Sequence, residues 1–164
     1  MMFTLFRAVI LLCALGAASG AMAQQASVAF GGLKQDTTLP VEVQADSLAV
    51  NQADGSAVFT GNVLVGQGEM RLSAASVRVE YDDGGKAIRR LHASGGVTLA
   101  SASEAAEARE AVYTIDSGEV VMTGDVLLTQ GQSAIAGQKL VIDLKAGTGV
   151  MEGRVSTVFV PGKK

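Results

Sequence analysis

The stretch Thr60-Gly61-Asn62-Val63-Leu64-Val65 decides the fold, because it recurs along the chain at nearly regular intervals. It returns as Ser94-Gly95-Gly96-Val97-Thr98-Leu99, then as Thr123-Gly124-Asp125-Val126-Leu127-Leu128, and more faintly as Glu152-Gly153-Arg154-Val155-Ser156-Thr157. The glycines of these four copies are separated by 34, 29 and 29 residues. A period of this length is typical of stacked supersecondary units.

Each copy predicts a β-strand after its glycine, because aliphatic residues occupy every second position there. A second predicted strand precedes each glycine, over residues 45–50, 74–79, 108–115 and 137–144. Turn pairs separate the two members of a unit: Asp54-Gly55, Asp83-Gly84-Gly85, Ser117-Gly118 and Ala146-Gly147. Each unit is therefore predicted as strand, turn, strand, glycine-marked bend and strand.

The repeat also predicts how the units assemble. No unit can bury its apolar face alone, so the units stack in chain order. Stacked strand pairs form two facing antiparallel sheets around an aliphatic interior, open at both ends rather than closed into a barrel. Segment 103–110 has helix-forming composition, but the repeat requires a loop and a strand there, and we follow the repeat. We predict an all-β domain.

The start of the chain predicts a cleaved signal peptide over Met1–Ala23. Arg7 precedes an apolar run from Ala8 to Ala18, and Ala21-Met22-Ala23 offers a small-x-small cleavage site. The divisions expected after it are a flexible lead-in over 24–40, the β domain over 41–160 and a short tail over 161–164.

Composition argues against several classes of function. Cys13, the only cysteine, lies in the predicted signal peptide, so the mature chain has no disulfide, thiolate metal site or cysteine nucleophile. Without Arg7 the chain has 12 basic and 16 acidic residues and no basic run, which argues against nucleic-acid binding. Acidic residues fall mostly at strand ends, as turn residues do, and no nucleophile-base pair stands out. We expect no enzyme activity, no cofactor and no metal.

One short basic cluster is open to two interpretations. Arg89, Arg90 and His92, the only histidine, lie on a predicted strand. Together they are able to attract a phosphate, but short basic runs are usually solvated surface. The sequence does not decide between the two.

Residues Val58–Gly68, with Leu72–Val79 after them and Val43–Leu48 before them, resemble the LptA/OstA-like family of lipopolysaccharide-transport proteins. The likeness extends from Val41 to about Phe159. It implies a twisted β-jelly roll in the periplasm, with a hydrophobic groove for the acyl chains of lipid A. It also implies a link between an inner-membrane transporter complex and the outer-membrane assembly complex, made by joining similar domains edge to edge.

Strand alternation and this resemblance together give the candidate residues. The expected lipid-facing residues are Leu48, Val50, Phe59, Val63, Val65, Val77, Val79, Tyr81, Val97, Leu99, Leu140 and Ile142. The expected partner-edge residues are Val41, Val43, Val155, Val158 and Phe159. The expected partners are lipopolysaccharide, an LptC-like inner-membrane subunit at the N-terminal edge, an LptD-like outer-membrane protein at the C-terminal edge, and a second copy end to end.

Three alternatives stay open. The first is a structural or adhesive β-solenoid with a solid core and no lipid. The second is the LptC-like membrane-anchored subunit of the same pathway, although the apolar run is shorter than the roughly 20 residues that a spanning helix needs. The third, a small periplasmic hydrolase, lacks a recognisable catalytic pair.

Overall fold

The computed structural model describes residues 26–29 and 32–161, and within them the chain is all-β with no helix, as predicted. The predicted signal peptide, the start of the lead-in and the last three residues lie outside this part. The eleven strands of the described residues are β1 (Ala26–Ala29), β2 (Glu42–Gln44), β3 (Ser47–Asn51), β4 (Ser56–Gln67), β5 (Met70–Tyr81), β6 (Ile88–Ala100), β7 (Glu104–Thr114), β8 (Glu119–Gln130), β9 (Ser133–Asp143), β10 (Thr148–Glu152) and β11 (Ser156–Val158).

All the strand pairings are antiparallel and link the strands into one hydrogen-bonded sheet. Strands β4 to β9 are long, and their pairing register shifts near the middle, as between Thr60 and Val63 in β4. Arms on one side of these shifts pair only with arms on the same side. The sheet therefore folds into two facing layers, which confirms the open jelly-roll architecture.

The pairings define the two layers. Layer A contains β1, β3, β10 and the arms 56–60, 76–81, 88–94, 110–114, 119–123 and 139–143. Layer B contains β2, β11 and the arms 63–67, 70–74, 97–100, 104–108, 126–130 and 133–137. The predicted strands need one correction: the strands expected before and after Gly61, Gly95 and Gly124 are single continuous strands, β4, β6 and β8, each of which serves both layers.

The repeated glycine motif forms the bends of β4, β6 and β8 and the connection from β10 to β11. Gly61 has a φ of 83° and Asn62 a φ of 46°, and the other copies repeat this pair of positive angles. Glycine adopts such angles without steric cost, and asparagine does so more readily than most residues. Space is also short, because a Cβ added to Gly95 would lie 2.6 Å from the Cβ of Ala75 on β5.

Side chains on each arm alternate between the inner face, which faces the other layer, and the outer face. One row of neighbours across layer A consists of Phe59, Val77, Ala93, Ala111, Met122, Leu140 and Met151. The corresponding row of layer B consists of Val65, Leu72, Leu99, Ala106, Leu128 and Ile135. All except Phe59 are buried in one hydrophobic core. Burial of each large aliphatic side chain contributes about 1.5–3 kcal/mol.

Strand β7 confirms that the repeat outweighs local composition. Its residues Ala106 and Ala108 are buried on the inner face, whereas Glu107 and Arg109 are exposed on the outer face. Both neighbouring strands pair with it. Sheet context therefore overrides the helical propensity of this segment.

The turns follow the prediction only in layer A. Its hairpins turn at 52–55, 82–87, 115–118 and 144–147, where the turn pairs were expected. Layer B turns at 68–69, 101–103 and 131–132, and these turns were not predicted. We call the two sets of turns rim A and rim B. They lie at the ends of the arms, away from the glycine bends.

Part of the lead-in pairs with the domain. Strand β1 adds to β10, with Val28 opposite Gly149, so β1 rather than β10 is the C-terminal edge of layer A. The sequence indicated no strand in this part of the lead-in, although cover of the sheet edges by the lead-in and tail was the alternative to free edges. The flexibility expected for residues 24–40 stays a prediction.

Alanine substitution at two adjacent glycines separates crowding from backbone strain. Gly95 and Gly96 both have positive φ, but a Cβ at Gly96 meets no atom within 4 Å. We expect Gly96→Ala to lower the free energy of unfolding by about 1–2 kcal/mol through strain alone. Gly95→Ala should cost about 1–3 kcal/mol more, because its methyl group crowds Ala75. Urea unfolding of both variants measures the difference, and equal losses would contradict the close approach.

Candidate functional site

The inner face brings together all twelve residues that the sequence suggests as lipid-facing. Eight of them are at most 1% exposed: Val63, Val65, Val77, Val79, Val97, Leu99, Leu140 and Ile142. Phe59 and Tyr81 are half-buried against this core. The interior is therefore filled by the protein's own side chains.

The inner face is open at its N-terminal end. Leu48 and Val50 on β3 are 54% and 66% exposed, although they pair with the inner-face residues Phe59 and Ala57. Among the described strands, β3 pairs with β4 alone, and its other side has no partner strand. The apolar surface of the interior thus continues to an exposed edge.

The suggested edge residues lie at the two ends of the layers. Val41 and Val43 are half-buried beside and within β2, the terminal strand of layer B. At the other end Val155 is half-buried, and Val158 and Phe159 are 61% and 74% exposed. Within the part of the chain that the structure describes, β11 pairs with β9 alone and is an edge strand.

Residues 32–40, which we call the strap, lie across the gap between rim A and rim B. The main-chain N–H of Gln35 donates to the carbonyl oxygen of Leu144 in rim A, at 2.8 Å. The side-chain Nε2 of the same residue donates to the carbonyl oxygen of Gln67 beside rim B, at 2.7 Å. One strap residue therefore connects both layers.

Gln67 is the centre of a buried polar latch. Its Nε2 donates to the carbonyl oxygens of Thr37 and Leu39 in the strap, at 3.1 and 2.8 Å. Its Oε1 accepts a hydrogen bond of 2.7 Å from the hydroxyl of Tyr113 in layer A. Gln67 and Tyr113 are each 1% exposed, so this bond joins the two layers inside the protein. Burial raises the pKa of Tyr113 to about 12, against a smaller opposing effect of the bond to Gln67.

Glu104 forms a second polar contact between the strap and rim B. Its Oε1 accepts hydrogen bonds from the main-chain N–H of Gly32 and from Nε2 of Gln130, at 3.4 and 2.6 Å. The residue is 3% exposed. Its Oε2 and the nearby Oγ of Ser101 are buried without a hydrogen-bond partner in the part of the chain that the structure describes.

Leu33 anchors the strap in the core. It is 2% exposed and belongs to the same hydrophobic cluster as the inner-face residues. The sequence analysis missed this residue, and it missed Gln67, Tyr113 and Glu104. A lone leucine in a polar segment, and polar residues near turns, carry no periodic signal.

The basic cluster lies on the outer face and surrounds Glu80. Arg89 Nη2 and His92 Nε2 lie 3.3 and 3.1 Å from the Glu80 carboxylate, and Arg90 Nη1 lies 3.9 Å from it. Burial alone would raise the pKa of Glu80, but the hydrogen bond from Arg89 and the charges of His92 and Arg90 lower it. The two guanidinium groups and the imidazole ring therefore already surround one carboxylate.

The described residues contain no group of three or more His, Cys, Asp or Glu placed to bind a metal ion. They also contain no helix of the length and apolar character needed to cross a membrane.

Tyr113→Phe tests the latch, because it removes only the hydroxyl group. We expect the free energy of unfolding to fall by about 1–2 kcal/mol near pH 7, since Gln67 Oε1 loses its buried donor. Below pH 10, the ordinary pKa of tyrosine, the stability linked to Tyr113 is fully present; it is lost as the pH rises towards about 12.

The variant should therefore lose less stability than the wild type between pH 10 and 12. Urea unfolding at several pH values measures this, with Tyr81→Phe at the half-buried tyrosine as control. The same alkaline decline in wild type and Tyr113→Phe would contradict the assignment.

Comparison with known proteins agrees with this architecture. The LptH crystal structure from Pseudomonas aeruginosa, described as the LptA homologous periplasmic component of the conserved lipopolysaccharide transport device, superposes with a TM-score of 0.69. At 21% identity it covers 77% of this chain and 99% of that chain, and it shares the fold.

Sequence comparison identifies the family. An uncharacterised protein of Rhizobium meliloti (strain 1021) is 30% identical over 155 residues, which is 88% of this chain and 83% of that protein. The lipopolysaccharide export system protein LptA of Escherichia coli K12 is 29% identical over 148 residues, which is 84% of this chain and 80% of that protein. The family described as LptA/(LptD N-terminal domain) LPS transport protein matches residues 42–148. The chain therefore belongs to the LptA/LptD N-terminal domain family of lipopolysaccharide transport proteins.

Proposed function

We propose that this chain is a periplasmic lipopolysaccharide-binding protein that shields lipid A acyl chains between its two layers. We further propose that it bridges the inner-membrane transporter complex to the outer-membrane assembly complex. The observation that carries the proposal is the continuous apolar inner face, which stays exposed at Leu48 and Val50. The names of the LptA and LptH relatives support lipopolysaccharide export as the process and the periplasm as the place.

The physical need for such a protein is clear from the chemistry of the cargo. Each methylene that leaves water contributes about 0.8 kcal/mol, so a lipid with several acyl chains does not cross an aqueous compartment unshielded. An aliphatic inner face enclosed between two layers provides that shield. The one buried charged side chain among the described residues is that of Glu104, beside rim B.

Acyl chains need space that the filled interior does not offer. Eight of the proposed lipid-facing residues are already buried by one another. Lipid binding therefore requires the two layers to separate, and they are joined covalently only through the bends and connections of the chain. Opening at the rims leaves the strand pairings within each layer intact.

The bridging role rests on the edges of the layers. Strands β2 and β3 at one end and β11 at the other each have a side without a partner strand among the described residues. Free backbone donors and acceptors of this kind pair readily with a strand of another domain. We propose that the N-terminal edge binds an LptC-like subunit, and that the C-terminal edge binds an LptD-like protein or a second copy.

One observation favours a second candidate function. The filled interior is what a structural or adhesive solenoid without a ligand would also have. Lipid extraction from purified protein, followed by mass spectrometry, separates the two: a carrier retains acylated lipid and a solid solenoid does not.

A pair of exposed leucines on neighbouring strands tests the lipid-facing surface. Leu48 lies on the inner side of β3, and Leu64 lies on the outer side of β4, where it is 38% exposed. We expect Leu48→Asp to weaken lipopolysaccharide binding by about tenfold, because a carboxylate replaces an apolar contact worth 1–2 kcal/mol.

Leu64→Asp should leave the affinity unchanged. Both positions are solvent-exposed, so neither variant should unfold, and circular dichroism checks this. Fluorescence anisotropy with fluorophore-labelled lipopolysaccharide measures the affinity of the isolated protein. Equal affinities for the two variants would mean that the inner face is not the binding surface.

Proline substitutions test the C-terminal edge. Along a strand, successive N–H groups point to opposite sides, so of Thr157 and Val158 in β11 one N–H faces β9 and the other faces solvent. We expect proline at the solvent-facing position to weaken end-to-end association while the fold is retained. Proline at the other position should instead lower stability, since it removes a bond to β9.

Light scattering and pull-down with the neighbouring transport subunits measure the association. The unsubstituted protein at matched concentration is the control. Unchanged association in both folded variants would remove β11 from the proposed bridge.

A further inference from the structure

We propose that the strap occupies an entry subsite for lipid, with Leu33 in the place of an acyl chain and the carbonyl groups of Thr37 and Leu39 in the place of a polar head group. The ligand class is an acylated lipid with hydroxyl or amide groups beside its acyl chains. Strap and lipid then compete for one position between the rims. This inference rests on the proposed lipid-binding function.

The first supporting observation is the position of the strap. Gln35 contacts both rims, and Gln67 is bonded at once to the strap and to Tyr113 of the opposite layer. Separation of the layers at the rims must break the bond from Tyr113 to Gln67. The strap must also lose its hydrogen bond to Leu144 in rim A or its hydrogen bonds to Gln67 beside rim B.

The second observation is the kind of contact that the strap makes with the domain. Its one fully buried side chain is that of Leu33. Lys34, Asp36, Thr38 and Leu39 are exposed, so little apolar burial opposes their release. An acyl chain supplies the same apolar contact as Leu33. A ligand with amide or hydroxyl oxygens supplies acceptors for Gln67 Nε2.

The third observation is that two buried polar atoms at rim B are available to hydrogen-bond a ligand. Glu104 Oε2 and Ser101 Oγ are buried without a hydrogen-bond partner among the described residues. Glu104 contacts Gly32 at the start of the strap, and the main-chain N–H of Ser101 donates to the carbonyl oxygen of Glu104. A buried carboxylate oxygen without a donor is costly. A hydroxyl or amide N–H of a lipid at this position would satisfy Glu104 Oε2, which the strap does not.

Competition has a measurable consequence. The apparent affinity for lipid is reduced by the fraction of molecules in which the strap occupies the subsite. Weakening the strap should therefore tighten lipid binding, and fixing the strap should weaken it. A strap that served only as structural cover would give no such opposite effects.

A reversible crosslink fixes the strap. An added Cβ at Gly32 would overlap the Oγ of Ser103 in rim B, so the two positions are close enough for the Gly32→Cys/Ser103→Cys pair to form a disulfide once the residue 103 side chain rotates. The predicted mature chain has no other cysteine. We expect the oxidised double variant to bind fluorophore-labelled lipopolysaccharide at least about tenfold more weakly than its dithiothreitol-reduced form. The single-cysteine variants, which form no internal crosslink, are the controls.

A second pair of variants weakens the strap instead. Leu33→Ser removes the buried anchor, and we expect it to bind the same probe several-fold more tightly than the wild type. Leu127→Ser, at an outer-face leucine of β8 that is 37% exposed and lies outside the strap, is the matched control and should bind as the wild type does. Thermal unfolding checks that both variants are folded, and the crosslink experiment is independent of any instability of Leu33→Ser.

The outcomes separate this inference from the proposed function. If wild type and reduced protein bind the probe, and neither oxidation nor Leu33→Ser changes the affinity, the strap does not occupy the lipid subsite, but the proposed function stands. If no form binds the probe, the proposed function and this inference both fail. Opposite shifts in affinity from the two changes support the competition.

Discussion

The rest of the structure depends on the pair of left-handed backbone residues at each glycine bend. A long strand that remained straight would place its two arms in one flat layer, with no opposing layer to cover its inner face. The positive φ angles of Gly61 and Asn62, repeated in the later copies, fold each such strand back on itself. The inner side stays inner across the bend, because Phe59 and Val63 are an even number of residues apart. Every buried row follows from this geometry.

The strands between the glycine copies, such as β5 and β7, also pass from one layer to the other, but through a bulge rather than a pair of left-handed residues. In β5 the inner residues change from Leu72 and Ala74 to Val77 and Val79, so two successive residues face outward where the register shifts. Strand β7 does the same between Ala108 and Ala111. Two-residue glycine bends thus alternate along the sheet with one-residue bulges. At each bend a neighbouring side chain lies close to the glycine: Ala75 of β5 at Gly95, Arg109 of β7 at Gly124 and Gln138 of β9 at Gly153.

The glycine bends and the bulges also explain how much of the structure could be predicted from the sequence. Alternation and glycine spacing were sufficient for the strands, the two layers and the inner position of residues such as Val65 and Leu99. They were not sufficient for the continuity of the arms, because a bulge resets the alternation and resembles a break between strands. They gave no indication of the strap, since one buried leucine and a few hydrogen bonds to main-chain groups leave no periodic pattern. Gln67 resembles any polar residue before a turn until Tyr113 is placed opposite it.

The two ends of the inner face differ, and the difference follows from the path of the lead-in. At the C-terminal end β1 covers the edge of β10, and Leu140, Ile142 and Met151 are completely buried. At the N-terminal end the chain enters through the short strands β2 and β3, and nothing in the described part covers the inner side of β3. A long exposed apolar edge favours association with another strand unless it is blunted. In the proposed bridge, a strand docked on β3 would cover Leu48 and Val50 and extend the inner face beyond this chain. The apolar path would then continue from the N-terminal end, whereas β1 and the strap would have to move before it could continue past β10.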